Sequence, residues 1–130
     1  MNSAAFKTLR EAVGLSVSNV AKIAKVGERT VRYWESGRNQ PPEDISQRLI
    51  EIDNQLEQGV KYTLAFVDEM LAKHGSIDEF NLLRYTDEKQ LWKKHPEFKK
   101  LPVTTHAAYL ARVKRALEDK GAVVNLTYSH

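Results

Sequence analysis

Between Val17 and Gly37 two short amphipathic patterns succeed one another with only Lys25, Val26 and Gly27 between them. A connection that short forces two short helices to cross at close quarters, and so dictates which side chains are scaffold. Val20, Ile23 and Ala24 mark the first helix, which starts at about Val17 behind Ser16, a residue type that caps orphan N–H groups. The second runs from Glu28 to Ser36, buries Val31 and Trp34, and stops at Gly37, whose missing Cβ permits a left-handed cap. Ala21 is small enough for the helices to cross over it, and Val26 is expected to plug the turn. Ahead of this pair, Phe6, Leu9, Arg10 and Val13 recur at helical spacing after Ser3, a candidate cap, and Gly14 supplies the stop.

Pro41 and Pro42 break the chain, and Glu43 and Asp44 then favour the positive end of a new helix. From Ile45 the apolar residues Leu49, Ile52, Leu56, Val60, Leu64, Val67 and Leu71 keep steps of three or four, a stripe long enough to seat a partner helix. Gly59 is a point where this helix kinks or divides, and Gly75 ends it. Beyond it, Phe80 to Tyr85 and Ala122 to Tyr128 read as strands. Between them stand a helix opening at Thr86 or Asp87 with Leu91 and Trp92, and another opening at Thr104 or Thr105 with Leu110, Val113 and Leu117. The expected fold is mainly α: a bundle of short helices, a long helix, and a small α+β module of strand, helix, helix and strand with the strands antiparallel. Residues 1–58 form the first domain and 59–130 the second.

The chain has no cysteine, so disulfides and thiolate metal sites are excluded. Its four histidines are scattered, and His74, His95, His106 and His130 are each read as surface residues. No nucleophile–base pair or carboxylate dyad has suggestive spacing; no enzyme, metal or cofactor is expected. No apolar run is long enough to span a bilayer, so a cytoplasmic protein without a membrane partner is expected. Residues 1–58 carry eight basic and eight acidic groups, yet from Lys22 to Arg38 the local balance is +3. A basic segment with interleaved aromatics, Trp92 to His95 with Phe98 to Lys100, has the form of a nucleic-acid patch, although lysines on a loop are more often simply solvated.

Leu15-Ser16, Ala21-Lys22, Val26, Thr30, Trp34-Glu35, Gly37 and Pro41 stand in the register of the lambda-repressor-like (Xre) helix-turn-helix family, which this stretch resembles. The sequence departs from that family's pattern at Val17, where a polar residue is common, and at Lys25, where glycine is common. Lys25 therefore either takes a positive φ or needs a different turn. The order of Arg32-Tyr33-Trp34-Glu35-Ser36-Gly37, a long helix, an aromatic strand near Leu83-Arg84-Tyr85 and a tryptophan helix also resembles the anti-CRISPR-associated regulators of phages and mobile elements. That resemblance implies a dimeric autorepressor of a small operon, joined through its C-terminal part, in a group of which some members also bind RNA.

The first resemblance places Glu28, Arg29 and Tyr33 at base edges and Lys22, Arg32, Arg38 and Asn39 at phosphates of double-stranded DNA. Arg29 is the foremost base reader, because its planar fork holds guanine O6 and N7 together. The seam Leu56, Val60, Leu64, Val67 and Leu71 is assigned to a homodimer interface. Two other partners stay open: a toxin protein, which would make the chain an antitoxin that represses its own operon, and RNA.

Overall fold

Nine elements follow one another in the computed structural model, which describes residues 1–76 and 79–130. Six α-helices dominate: α1 (Ser3–Ala12), α2 (Val17–Ala24), α3 (Glu28–Ser36), α4 (Glu43–His74), α5 (Glu88–Lys94) and α6 (Val103–Asp119). Two strands, β1 (Phe80–Arg84) and β2 (Val124–Tyr128), and a 3₁₀ turn at Pro96–Phe98 complete the elements among the described residues. The architecture is thus a mainly helical bundle followed by a small α+β module, as the sequence leads one to expect. The chain divides into two compact units, Met1–Gln55 and Leu56–His130.

Local signals account for the helix boundaries in the first unit. Asn2, rather than Ser3, caps α1, its Oδ1 accepting from the Ala5 N–H at 2.8 Å. At α2 the Ser16 hydroxyl accepts from the Asn19 N–H at 3.0 Å while Asn19 Oδ1 accepts from the Ser16 N–H at 2.8 Å, a reciprocal capping box. Lys25 takes the left-handed conformation at φ 58°, the more strained of the two options for this turn. Backbone hydrogen bonds close the turn, Lys25 N–H to Lys22 O and Val26 N–H to Ala21 O. Val26 does not bury itself in the turn as expected: it is 37% exposed. Phe6, Val13, Leu15, Val20, Ala21, Val31 and Trp34 are buried, with Phe6 and Trp34 edge to face at 6.0 Å.

Helix α4 is continuous over 32 residues and is not divided at Gly59. The glycine is there for clearance: a Cβ at this position would lie 2.8 Å from the Tyr109 ring of α6. In the second unit Val60, Val67, Val113, Leu117 and Ala122 form the core, with Leu64, Leu71, Phe80, Leu82, Tyr109 and Val124 packed against it.

The strands pair in parallel, Phe80 beside Val124 through Arg84 beside Tyr128, which corrects the antiparallel expectation. The reason lies in helix lengths. The seven-residue α5 and the 3₁₀ turn are short, and α6, at 17 residues, is the long helix of the connection. A single returning helix brings the second strand back in the direction of the first. Helix α6 packs on both strands.

Candidate nucleic-acid interface

Helix α3 divides its residues sharply between two faces. Val31 and Trp34 point into the core, while Glu28, Arg29 and Arg32 are exposed and Tyr33 is half-buried. What holds the helix at its angle is a paired charge not anticipated from sequence. Arg10 Nε of α1 donates to Glu35 Oε2 at 2.6 Å and Nη2 to Oε1 at 3.1 Å, while Nη1 reaches Leu15 O at 2.9 Å. Both side chains are only about one-tenth exposed, 11% and 9%. A bidentate guanidinium–carboxylate pair fixes both distance and rotation, so α1 sets the presentation of α3. The one sequence signal for it was a charged residue, Arg10, standing in an otherwise apolar stripe.

The outward face is organised around Tyr33. The Arg38 guanidinium carbon lies 4.3 Å from the ring centroid, and that of Arg29 lies 5.8 Å from it. Gly37 makes this possible: at φ +85° it ends α3 and turns the chain back, so that the Asn39 N–H donates to Tyr33 O at 3.1 Å. Arg29, Tyr33 and Arg38 are thereby brought together, with Asn39 held beside them. Glu28 pairs with Arg32 at 3.5 Å across one helical turn, both side chains at least half exposed. Such a pair contributes little stability and gives way easily to a polyanion. Lys22 is exposed on α2. The surface of these two helices therefore offers guanidinium forks and an ammonium group facing solvent, suited to phosphate oxygens and to acceptor-bearing base edges.

The residues of the expected dimer seam fall differently. Leu56, Val60 and Val67 are buried by the chain's own fold, and Leu64 and Leu71 are partly buried against the core of the second unit. A second stripe on α4, which sequence reading passed over, stays open: Tyr62 is 79% exposed, Phe66 53% and Met70 37%. Its signal was legible, since the three residues are spaced four apart and their mean direction lies about 120° around the helix from the buried seam. Leu83 and Leu126 of the strands are also exposed.

His106 corrects the surface reading given to the histidines, being 2% exposed. It stands four residues before Leu110 and seven before Val113, on the buried stripe of α6. Tyr85, His95, Phe98 and Tyr109 surround it, with ring centroids 4.9 to 6.0 Å away. Among the described residues no group of three or more metal-ligating side chains comes together, and no helix is long and apolar enough to cross a membrane.

Comparison with known proteins places these features in context. A family described as a domain of unknown function, DUF4447, matches residues 1–126. The Aca2 repressor of Pectobacterium phage ZF40 is 32% identical over 87 residues, an alignment that spans 55% of this chain and 75% of that protein.

Proposed function

The chain belongs to the DUF4447 family, and we propose that it is a sequence-specific DNA-binding repressor whose helices α2 and α3 act as a helix-turn-helix of the Xre type. The observation that carries this reading is the outward face of α3, where Arg29 and Arg38 flank the Tyr33 ring on a helix locked from behind by Arg10 and Glu35. A relative that is named a repressor supports it. In this reading residues 1–58 bind DNA and residues 59–130 join two copies.

The mechanism follows from the placement of the charges. Helix α3 enters the major groove with Arg29 and Glu28 at base edges, Arg29 reading a guanine through two parallel hydrogen bonds. Tyr33 supports both flanking guanidinium groups, so that Arg29 faces bases while Arg38 and Asn39 meet the adjoining phosphates. Lys22 and Arg32 contact phosphates on either side and set the register without reading sequence.

A single recognition helix spans too few base pairs to compete against a genome of non-specific sites, so two copies must act together. The exposed stripe Tyr62, Phe66 and Met70 is the contact surface we assign to them, since large aromatic side chains side by side in water favour association. Two-fold pairing would set the recognition helices about 34 Å apart and call for an approximately palindromic operator. In this reading the natural target is the promoter of the chain's own gene.

Titrating the DNA upstream of that gene with the protein over a range of salt concentrations tests the proposal. Tight binding with a log–log salt slope of roughly −0.9 per neutralised phosphate is expected, reduced by about one phosphate per half-site in Lys22→Ala. Equal affinity for that DNA and for random sequence would refute it.

A further inference from the structure

Where the two strands end, the second unit forms a hollow of about 180 Å³ between Tyr85, α5 and the residues after β2. Gln90, Lys93 and Lys94 of α5 line it together with Ser129 and His130. Those three α5 residues stand at i, i+3 and i+4 and so share one side of the helix, while Glu88, the acid of α5, lies on the other. The Ser129 N–H donates to Arg84 O at 2.9 Å, which carries the strand pairing one step further and holds Ser129 next to Tyr85. A cavity of about 150 Å³ already accommodates benzene, so a phosphate group with a short substituent fits here.

Two features of the lining call for a ligand, and the first is a fixed hydroxyl. Tyr85 is 6% exposed, its ring set edge to face against His106 at 5.4 Å and His95 at 5.6 Å, which fixes its direction. Among the described residues its hydroxyl has no hydrogen-bond partner. That hydroxyl still meets solvent, because the unpartnered side-chain atoms sealed from it are those of Ser46, Thr105 and His106. Phenylalanine would pack equally well at this position, so the hydroxyl gains nothing from its own chain. The second feature is charge. Lys114 and Lys120 of the same unit pair with Glu118 and Asp68, whereas Lys93 and Lys94 have no acidic partner among the described residues. Among those residues the lining holds no Asp or Glu, so two ammonium groups border the hollow uncompensated.

We propose that this hollow binds a phosphate monoester, its oxygens held by the Lys93 and Lys94 ammonium groups and accepting from the Tyr85 hydroxyl. Phosphate oxygens are strong acceptors, which suits a lining whose ammonium, hydroxyl and amide groups all donate. Charge selects among phosphates: a monoester carries roughly two negative charges at neutral pH and a diester one, so the monoester matches the two lysines. The backbone phosphate of a nucleic acid is a diester and is disfavoured for that reason. The site makes the second unit a receptor for a phosphorylated small molecule, and it stands independently of whether α3 reads DNA.

The test uses the intact protein with methyl phosphate and its diester counterpart, dimethyl phosphate, at neutral pH and matched ionic strength. Amide chemical-shift perturbation is followed by NMR to saturation. Expected are saturable shifts centred on Gln90, Lys94 and Ser129, and affinity for methyl phosphate roughly tenfold above that for dimethyl phosphate. Tyr85→Phe keeps the ring packing and lowers methyl phosphate affinity roughly tenfold while the rest of the amide spectrum stays in place. Lys93→Gln combined with Lys94→Gln, both changes at exposed positions, abolishes the saturable shifts. Absence of such shifts in the parent, equal affinity for the two probes, or methyl phosphate binding untouched by Tyr85→Phe overturns the proposal. So does random-sequence duplex DNA that shifts the same amides and displaces methyl phosphate, which would assign the hollow to a nucleic-acid backbone.

Discussion

Removing Arg10 should cost more than any surface charge on this chain, because it strands Glu35. The pair is about one-tenth exposed and is joined at 2.6 and 3.1 Å, with a third bond from Arg10 to Leu15 O at 2.9 Å. Taking one partner from a buried pair costs about 3 to 5 kcal/mol; the slight exposure here argues for the lower end, about 3 kcal/mol, in Arg10→Met. Glu35→Met should cost less, about 2 kcal/mol, because Arg10 retains its bond to Leu15 O. The double variant Arg10→Met/Glu35→Met leaves no buried charge and loses chiefly that carbonyl bond, so it should sit only about 1 kcal/mol below the parent. The single effects then exceed the double effect by about 4 kcal/mol, far beyond the additivity error for independent sites. Urea unfolding followed by Trp34 fluorescence, in a Trp92→Phe background so that the first unit alone reports, measures all four corners of the cycle. Single effects that simply add in the double variant would refute the claim that this pair locks α3.

Arg29→Ala should weaken operator binding by about 1 to 3 kcal/mol and relax preference at one base pair per half-site, whereas Arg38→Ala should weaken all sequences alike; competition binding with a library of operator variants separates the two. Tyr62→Glu with Phe66→Glu should leave helicity intact and yield a monomer with lost operator affinity, and sedimentation of a still-dimeric double variant would exclude that surface. Lys25→Gly should stabilise the first unit by about 1 kcal/mol in urea melts by relieving the positive φ at this turn, while an unchanged or lower midpoint would argue against strain there. His106 titrates at about 4 in the folded chain against 6.5 when unfolded, through burial first and His95 second, with Glu97 opposing. The unfolded chain thus takes up the proton first, so stability is full above pH 6.5 and falls by about 3 kcal/mol as the pH drops to about 4; His106→Phe should flatten that slope in melts across the range.

The parts of this fold that could be read from sequence are those written in neighbouring residues. Ser16 at the start of α2, Gly37 at the end of α3, and the alternation of Val31 and Trp34 with outward polar groups are local, and each stands where the spacing puts it. The rest depends on residues far apart in the chain. Arg10 meets Glu35 across 25 positions, and its place in an apolar stripe marks a buried charge without naming the partner. The strand direction follows from one helix of the two being too short to return, a matter of length rather than residue type. Helix α4 carries two apolar stripes, and only packing against α6 decides that Val60 and Val67 go inside while Tyr62 and Phe66 stay out. His106 lay within reach of sequence reasoning, since it shares its stripe with Leu110, Val113 and Leu117, but polarity outweighed position in the reading.

Hydroxyl-radical footprinting of the intact protein on the DNA upstream of its own gene tests the central claim most directly. The account predicts two protected patches within an inverted repeat, their centres roughly 10 to 11 base pairs apart, both lost in Arg29→Ala at concentrations that saturate the parent. Uniform protection without boundaries, or a footprint that Arg29→Ala leaves unchanged, would contradict it.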